Sequence, residues 1–163
     1  MASGASRSTA FGLLFINLLL YLVITGIAAW VINHGIEWSH ETAHLSPTAR
    51  LFPIYFPIGN MATGFFVVFS LISGVIGMIT STTGIHNITQ ISAMNPYTVA
   101  GSSLVALSLT LLSLGLACKE IHLGHTEENL RILEVTTIIV SVTQLLCTGA
   151  IHDEMRRAPI LIR

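Results

Sequence analysis

Two groups of residues in this chain carry side chains of the kind that do chemistry. The first, His40-Glu41-Thr42-Ala43-His44, has the spacing of the H-E-x-x-H zinc-protease pattern. Two histidines one helical turn apart can hold zinc, and the glutamate between them can activate a water, given a stable helix and a third ligand. Neither condition is evident in the flanking sequence. Pro47 and Arg50 stand where the extended form of the motif wants glycine and histidine, and no acidic residue follows until Glu120. A solvated polar loop is the reading adopted, ahead of adventitious metal binding and of a protease. No phosphate loop or serine-nucleophile motif is found, so neither an enzyme nor a cofactor is expected.

The second group is Lys119, Glu120, His122, Arg131 and Glu134. Lys119 and Glu120 close one long apolar stretch, and Arg131 and Glu134 open the next, so a short connection brings them to one end of the molecule. Glu134 lies about 12 Å along a helix from Thr126, at ~1.5 Å per residue, and is expected to be the deepest ionisable group. A lone carboxylate there costs a few kcal/mol on insertion scales, and is expected to take up a proton or to pair with Arg131 or Lys119. Two readings follow. The cluster is an ion-pair clamp between two helices, or it is a site for an anionic or protonatable solute. In the second, Lys119 and Arg131 attract a carboxylate while Glu134 and His122 exchange protons, with Glu120 beside them.

The elements that must position these groups are set by composition. The 163 residues are 52% hydrophobic and 9% charged, with a mean hydropathy of +0.76, against roughly 25% charged in an average soluble domain. The net charge of -1 offers no basic face, which sets nucleic acid aside as a partner and leaves membrane lipids. Four stretches, near 10–32, 59–81, 98–118 and 130–151, are long enough to cross about 30 Å of hydrocarbon as helices. Open strands would leave unpaired backbone groups in lipid, and the alternation of barrel strands is missing. The predicted fold is therefore an all-α, antiparallel bundle of four transmembrane helices forming one domain, 1–163. Asn60, Asn95-Pro96 and Thr126 with Glu127 and Glu128 supply helix starts.

Residues 33–58 are expected to form the longest loop. The first apolar run continues through Val31 and Ile32, beyond a signal-peptide core, and is expected to be a retained anchor. Arg7, Arg156, Arg157 and Arg163 near the ends favour cytoplasmic termini over the side carrying Arg50, Lys119 and Arg131. The sequon Asn87-Ile88-Thr89 is then cytoplasmic and unglycosylated. Cys118 and Cys147 fall near opposite membrane faces, too far apart for a disulfide.

In lipid, small and polar residues mark the packed helix faces. The second span repeats Asn60, Thr63, Val67, Ser70, Gly74, Gly77 and Ser81 at intervals of three and four; the third repeats Ser103, Ala106, Thr110, Ser113 and Ala117, with Glu120 continuing the seam. In the fourth, Glu134, Thr137, Ser141, Gln144 and Thr148 form a polar stripe. The first span adds Asn17 and Tyr21 with less regularity. Seams at a 3.5-residue period imply a compact left-handed bundle. The stripe has two readings, interhelical glue or the lining of a polar path.

Several runs carry a resemblance. Leu116-Ala117-Cys118-Lys119-Glu120-Ile121-His122, Leu130-Arg131-Ile132-Leu133-Glu134 and Thr143-Gln144-Leu145-Leu146 closely resemble the AWPM-like family of abscisic-acid-induced plant plasma-membrane polypeptides. Ala28-Ala29-Trp30, Asn33-His34, Phe52-Pro53-Ile54-Tyr55-Phe56 and Asn60-Met61-Ala62-Thr63-Gly64 look like the same family, so that nearly the whole chain is covered. The His40–His44 segment lies outside the pattern. The resemblance implies a multi-pass plasma-membrane protein of plants associated with abscisic acid, seed maturation and tolerance of drought, cold or salt, in a family linked to abscisic acid entry into cells. It transfers no binding residue. Two functions stand: a facilitator of weak-acid uptake, and a non-transporting tetraspan protein that stabilises the plasma membrane during dehydration or cold. Inverted repeats and broken helices are not evident, which counts against a midplane carrier site. A path at the interface of a homo-oligomer is the remaining option.

Overall fold

The computed structural model describes four helices: α1 (Ala2–Thr42), α2 (Met61–Thr89), α3 (Pro96–Leu123) and α4 (Glu128–Arg157). All four are long and apolar enough to cross a membrane, and no strand occurs among the described residues. Each helix packs against two others, α1 and α3 both lying between α2 and α4, which closes a ring. Contacts fix the sense of the helices. Leu14, Tyr21 and Thr25 of α1 face Gly84, Gly77 and Gly74 of α2 in reverse order, and Thr63 near the start of α2 meets Glu120 near the end of α3. Neighbouring helices therefore run antiparallel, as the four apolar stretches predict.

The helices outlast the predicted spans. Helix α1 continues ten residues past Ile32, so the loop expected from residue 33 begins later and His40 to Thr42 lie on a helix. The solvated-loop reading is corrected for those three residues; His44 lies outside the described residues. Local bonds account for the extension: Asn33 donates to Glu37 one turn on at 3.0 Å, and the Trp30 and His34 rings stack with centroids 5.3 Å apart. No proline intervenes before Pro47. Helix α2 likewise runs beyond Ser81, through the sequon, with Thr82 and Thr89 hydroxyls donating to carbonyls of the preceding turn. Pro96 opens α3, a position where its missing N–H leaves no bond unmade. Asn60, Asn95 and Thr126, expected as caps, lie outside the described residues.

The bundle is polar inside and apolar outside. Among the fully covered side chains are Asn17, Ser70, Ser103, Ser113 and Glu120, whereas Phe15, Leu22, Ile79, Val105, Leu145 and Leu146 are about half exposed. Water would reverse this distribution; lipid, which gains nothing from hiding leucine, permits it. Every described member of the three predicted seams is buried. The α1–α2 seam is closest: a Cβ added at Gly77 would strike the Tyr21 ring, and one at Gly74 would strike the Thr25 hydroxyl. Tyr21, Ile24, Ala28, Phe66, Val67, Leu133 and Val140 fill the apolar part of the centre. Both cysteines are free, Cys118 exposed and Cys147 buried.

Candidate functional site

Helical geometry divides the charge cluster. Successive residues on a helix are turned by about 100°, so Glu120, which continues the seam of Ser113 and Ala117, faces inward while Lys119 and His122 cannot. Glu120 is fully covered, whereas Lys119 and His122 are exposed. On α4, Glu134 is 6% exposed and Arg131 is exposed. The structure thus brings the two carboxylates together inside the bundle and leaves the three basic groups on its outer rim. Glu134 lies within electrostatic reach of Glu120, which repels it, and of Arg131, which attracts it.

Thr63 donates a 2.7 Å hydrogen bond to Glu120 Oε1. This cross-helix bond was not legible from the seams, although Thr63 and Glu120 each belong to one. Glu120 Oε2 is buried without a hydrogen-bond partner among the described residues.

From this acidic end a column of polar side chains runs through the interior. Ser113 donates to Ser73 at 3.3 Å, joining α3 to α2. Tyr21 and Thr110 share a 2.8 Å hydroxyl bond across the bundle from α1 to α3. Farther on, Asn17 donates to Gln144 Oε1 at 3.0 Å, and the Gln144 amide reaches the Ser103 carbonyl at 3.4 Å and the Thr148 hydroxyl at 3.5 Å. From Glu120 to Ser103 the column covers about 26 Å at ~1.5 Å per residue, close to the hydrocarbon thickness of about 30 Å. Ser73, buried but off the predicted α2 seam, is the member that spacing alone misses.

The α4 stripe does not act uniformly as glue. Gln144 bonds to other helices, but Thr137 and Ser141 donate to Leu133 and Thr137 carbonyls of their own helix, each at 2.7 Å. Their oxygens keep lone pairs on a buried face without tying helices together. In the described residues no group of three or more His, Cys, Asp or Glu side chains is placed to hold a metal ion.

Comparison with known proteins agrees with this architecture. The AWPM-19-like family model matches residues 15–154, which include the acidic end and the whole polar column. The rice (Oryza sativa subsp. japonica) "Membrane protein PM19L" is 37% identical over 151 residues, covering 92% of this chain and 80% of the rice protein. No solved structure matches the chain. A four-helix bundle with lipid-type polarity, a family match across most of its length and a rice membrane protein among its relatives lead to one conclusion: the chain belongs to the AWPM-19-like family of plant membrane proteins.

Proposed function

We propose that this chain is a stress- and abscisic-acid-responsive protein of the plasma membrane, not an enzyme, that facilitates uptake of abscisic acid into the cell. The observation that carries the proposal is the interior polar column, above all Thr137 and Ser141, whose buried hydroxyls do not bridge helices. Abscisic acid is an amphipathic carboxylic acid. Lys119 and Arg131, exposed at the acidic end, draw its carboxylate to the rim; Glu134 and His122, with Glu120 beside them, exchange protons there; Thr137, Ser141, Gln144 and Thr148 offer hydrogen bonds along the way. Surrounding lipid is the other partner, and a homo-oligomer would widen the path at its interface.

The test is entry of labelled abscisic acid into proteoliposomes. Wild type should exceed protein-free leak, most visibly at neutral pH, where the anion dominates and bare lipid resists it. Glu134→Gln should change the pH dependence, and joint Lys119→Ala and Arg131→Ala should weaken uptake, in variants first shown to be folded. Folded wild type with no uptake above leak at any pH removes the transport reading.

A second reading, a non-transporting tetraspan protein that stabilises the membrane during dehydration or cold, draws on a different observation. The Tyr21–Thr110 and Asn17–Gln144 bonds and the close fit of Tyr21 against Gly77 are what a packed bundle needs, with or without a solute.

A further inference from the structure

Among the described residues, the charges at the acidic end do not balance from within. Glu120 is fully covered and Glu134 nearly so. Arg131 attracts Glu134 from the rim, but Lys119 and His122 are exposed on the outer surface. Among the described residues, the buried positions of α1 and α2 toward this end, Ile24 and Ala28 on one and Thr63, Gly64, Phe66 and Val67 on the other, carry no charge, and His34 and Glu37, farther along α1, are exposed. Among the described residues, two inward carboxyl groups face one guanidinium, an excess of one acidic group. Glu120 Oε2 is also buried with no hydrogen-bond partner among the described residues, although Oε1 of the same group is held by Thr63. A buried carboxylate oxygen of this kind calls for a positive ligand.

We propose that Glu120 and Glu134, with the Thr63 hydroxyl, form a binding site for one monovalent alkali cation at this end of the bundle. The donors are all oxygens, which suit hard cations rather than zinc or copper. The excess of one acidic group among the described residues favours a monovalent ion over calcium. Thr63 spends its proton on Glu120 Oε1 and so keeps its oxygen lone pairs for the ion. The accessible edge of Glu134 supplies the way in. The site does not depend on whether a weak acid crosses the bundle.

Thermal unfolding of the full chain in detergent tests the proposal, in sodium, potassium and N-methylglucamine chloride at matched ionic strength and pH. Sodium or potassium should raise the wild-type Tm saturably, on the order of a few degrees. Glu120→Gln and Glu134→Gln should abolish that dependence. Equal Tm in the three salts overturns the site, as does a cation dependence that survives in either folded variant. A Tm that responds only to acidification, equally in all three salts, assigns the charge to a proton and also overturns it. Should a glutamine variant fail to fold, direct binding of radioactive sodium and rubidium to wild type decides: about one ion per chain supports the site, and none rejects it.

Discussion

The two ends of the polar column solve the same problem with different chemistry. At one end Asn17, Gln144, Thr148 and Ser103 meet through neutral amide, hydroxyl and carbonyl groups, leaving Asn17 Oδ1 as the orphan there. At the other, Glu120 and Glu134 face inward, one threonine donates to Glu120, and the second Glu120 oxygen has no hydrogen-bond partner among the described residues. A neutral orphan costs about 1–3 kcal/mol and a charged one more. The cross-helix bonds of the neutral end meet a packing need, whereas the acidic end carries a cost that packing does not explain.

The largest expected effect strikes the helix seam that both ends depend on. Gly77→Leu drives a side chain into the Tyr21 ring and should destabilise the bundle by about 1–3 kcal/mol, read by reversible unfolding in mixed micelles. Gln144→Leu removes the amide hub of the neutral end and should cost about 1–2 kcal/mol, the upper range for polar contacts in membranes. Glu120→Gln sharpens the contrast: in N-methylglucamine chloride it should leave stability within about 1 kcal/mol of wild type, because it removes a buried charge while keeping shape. A loss larger than that of Gln144→Leu would make the acidic end the structural one. Tyr21→Phe, midway between the ends, gives up one hydroxyl bond and should cost about 0.6 kcal/mol, since Thr110 retains its bond to the Ala106 carbonyl.

Much of this fold is legible in the sequence, because lipid leaves few options for an apolar chain. Intervals of three and four among Thr63, Val67, Ser70, Gly74, Gly77 and Ser81 identified the buried face of α2. Helix ends were less legible: hydropathy marks the membrane-spanning part, whereas Asn33–Glu37 and the threonine back-bonds carry helices past it. The candidate site was half legible. The connection between α3 and α4 showed that five charged or titratable residues share one end, but rotation about each helix decides which point inward. Extending the α3 seam to Glu120 contained that information; the placement of Arg131 on the rim required the packed bundle.

The column is proposed as a path as well as packing, and Thr137 and Ser141 separate the two. Their hydroxyls donate only within α4, so Thr137→Val with Ser141→Ala removes polarity from the column without cutting a bond between helices. The deciding measurement is the initial rate of abscisic acid entry into proteoliposomes at neutral pH, with wild type and this double variant at equal folded amounts. Wild-type entry should stand well above protein-free leak and the double variant should be at least several-fold slower, with thermal stability nearly unchanged. Equal rates in the two proteins would contradict the proposed path.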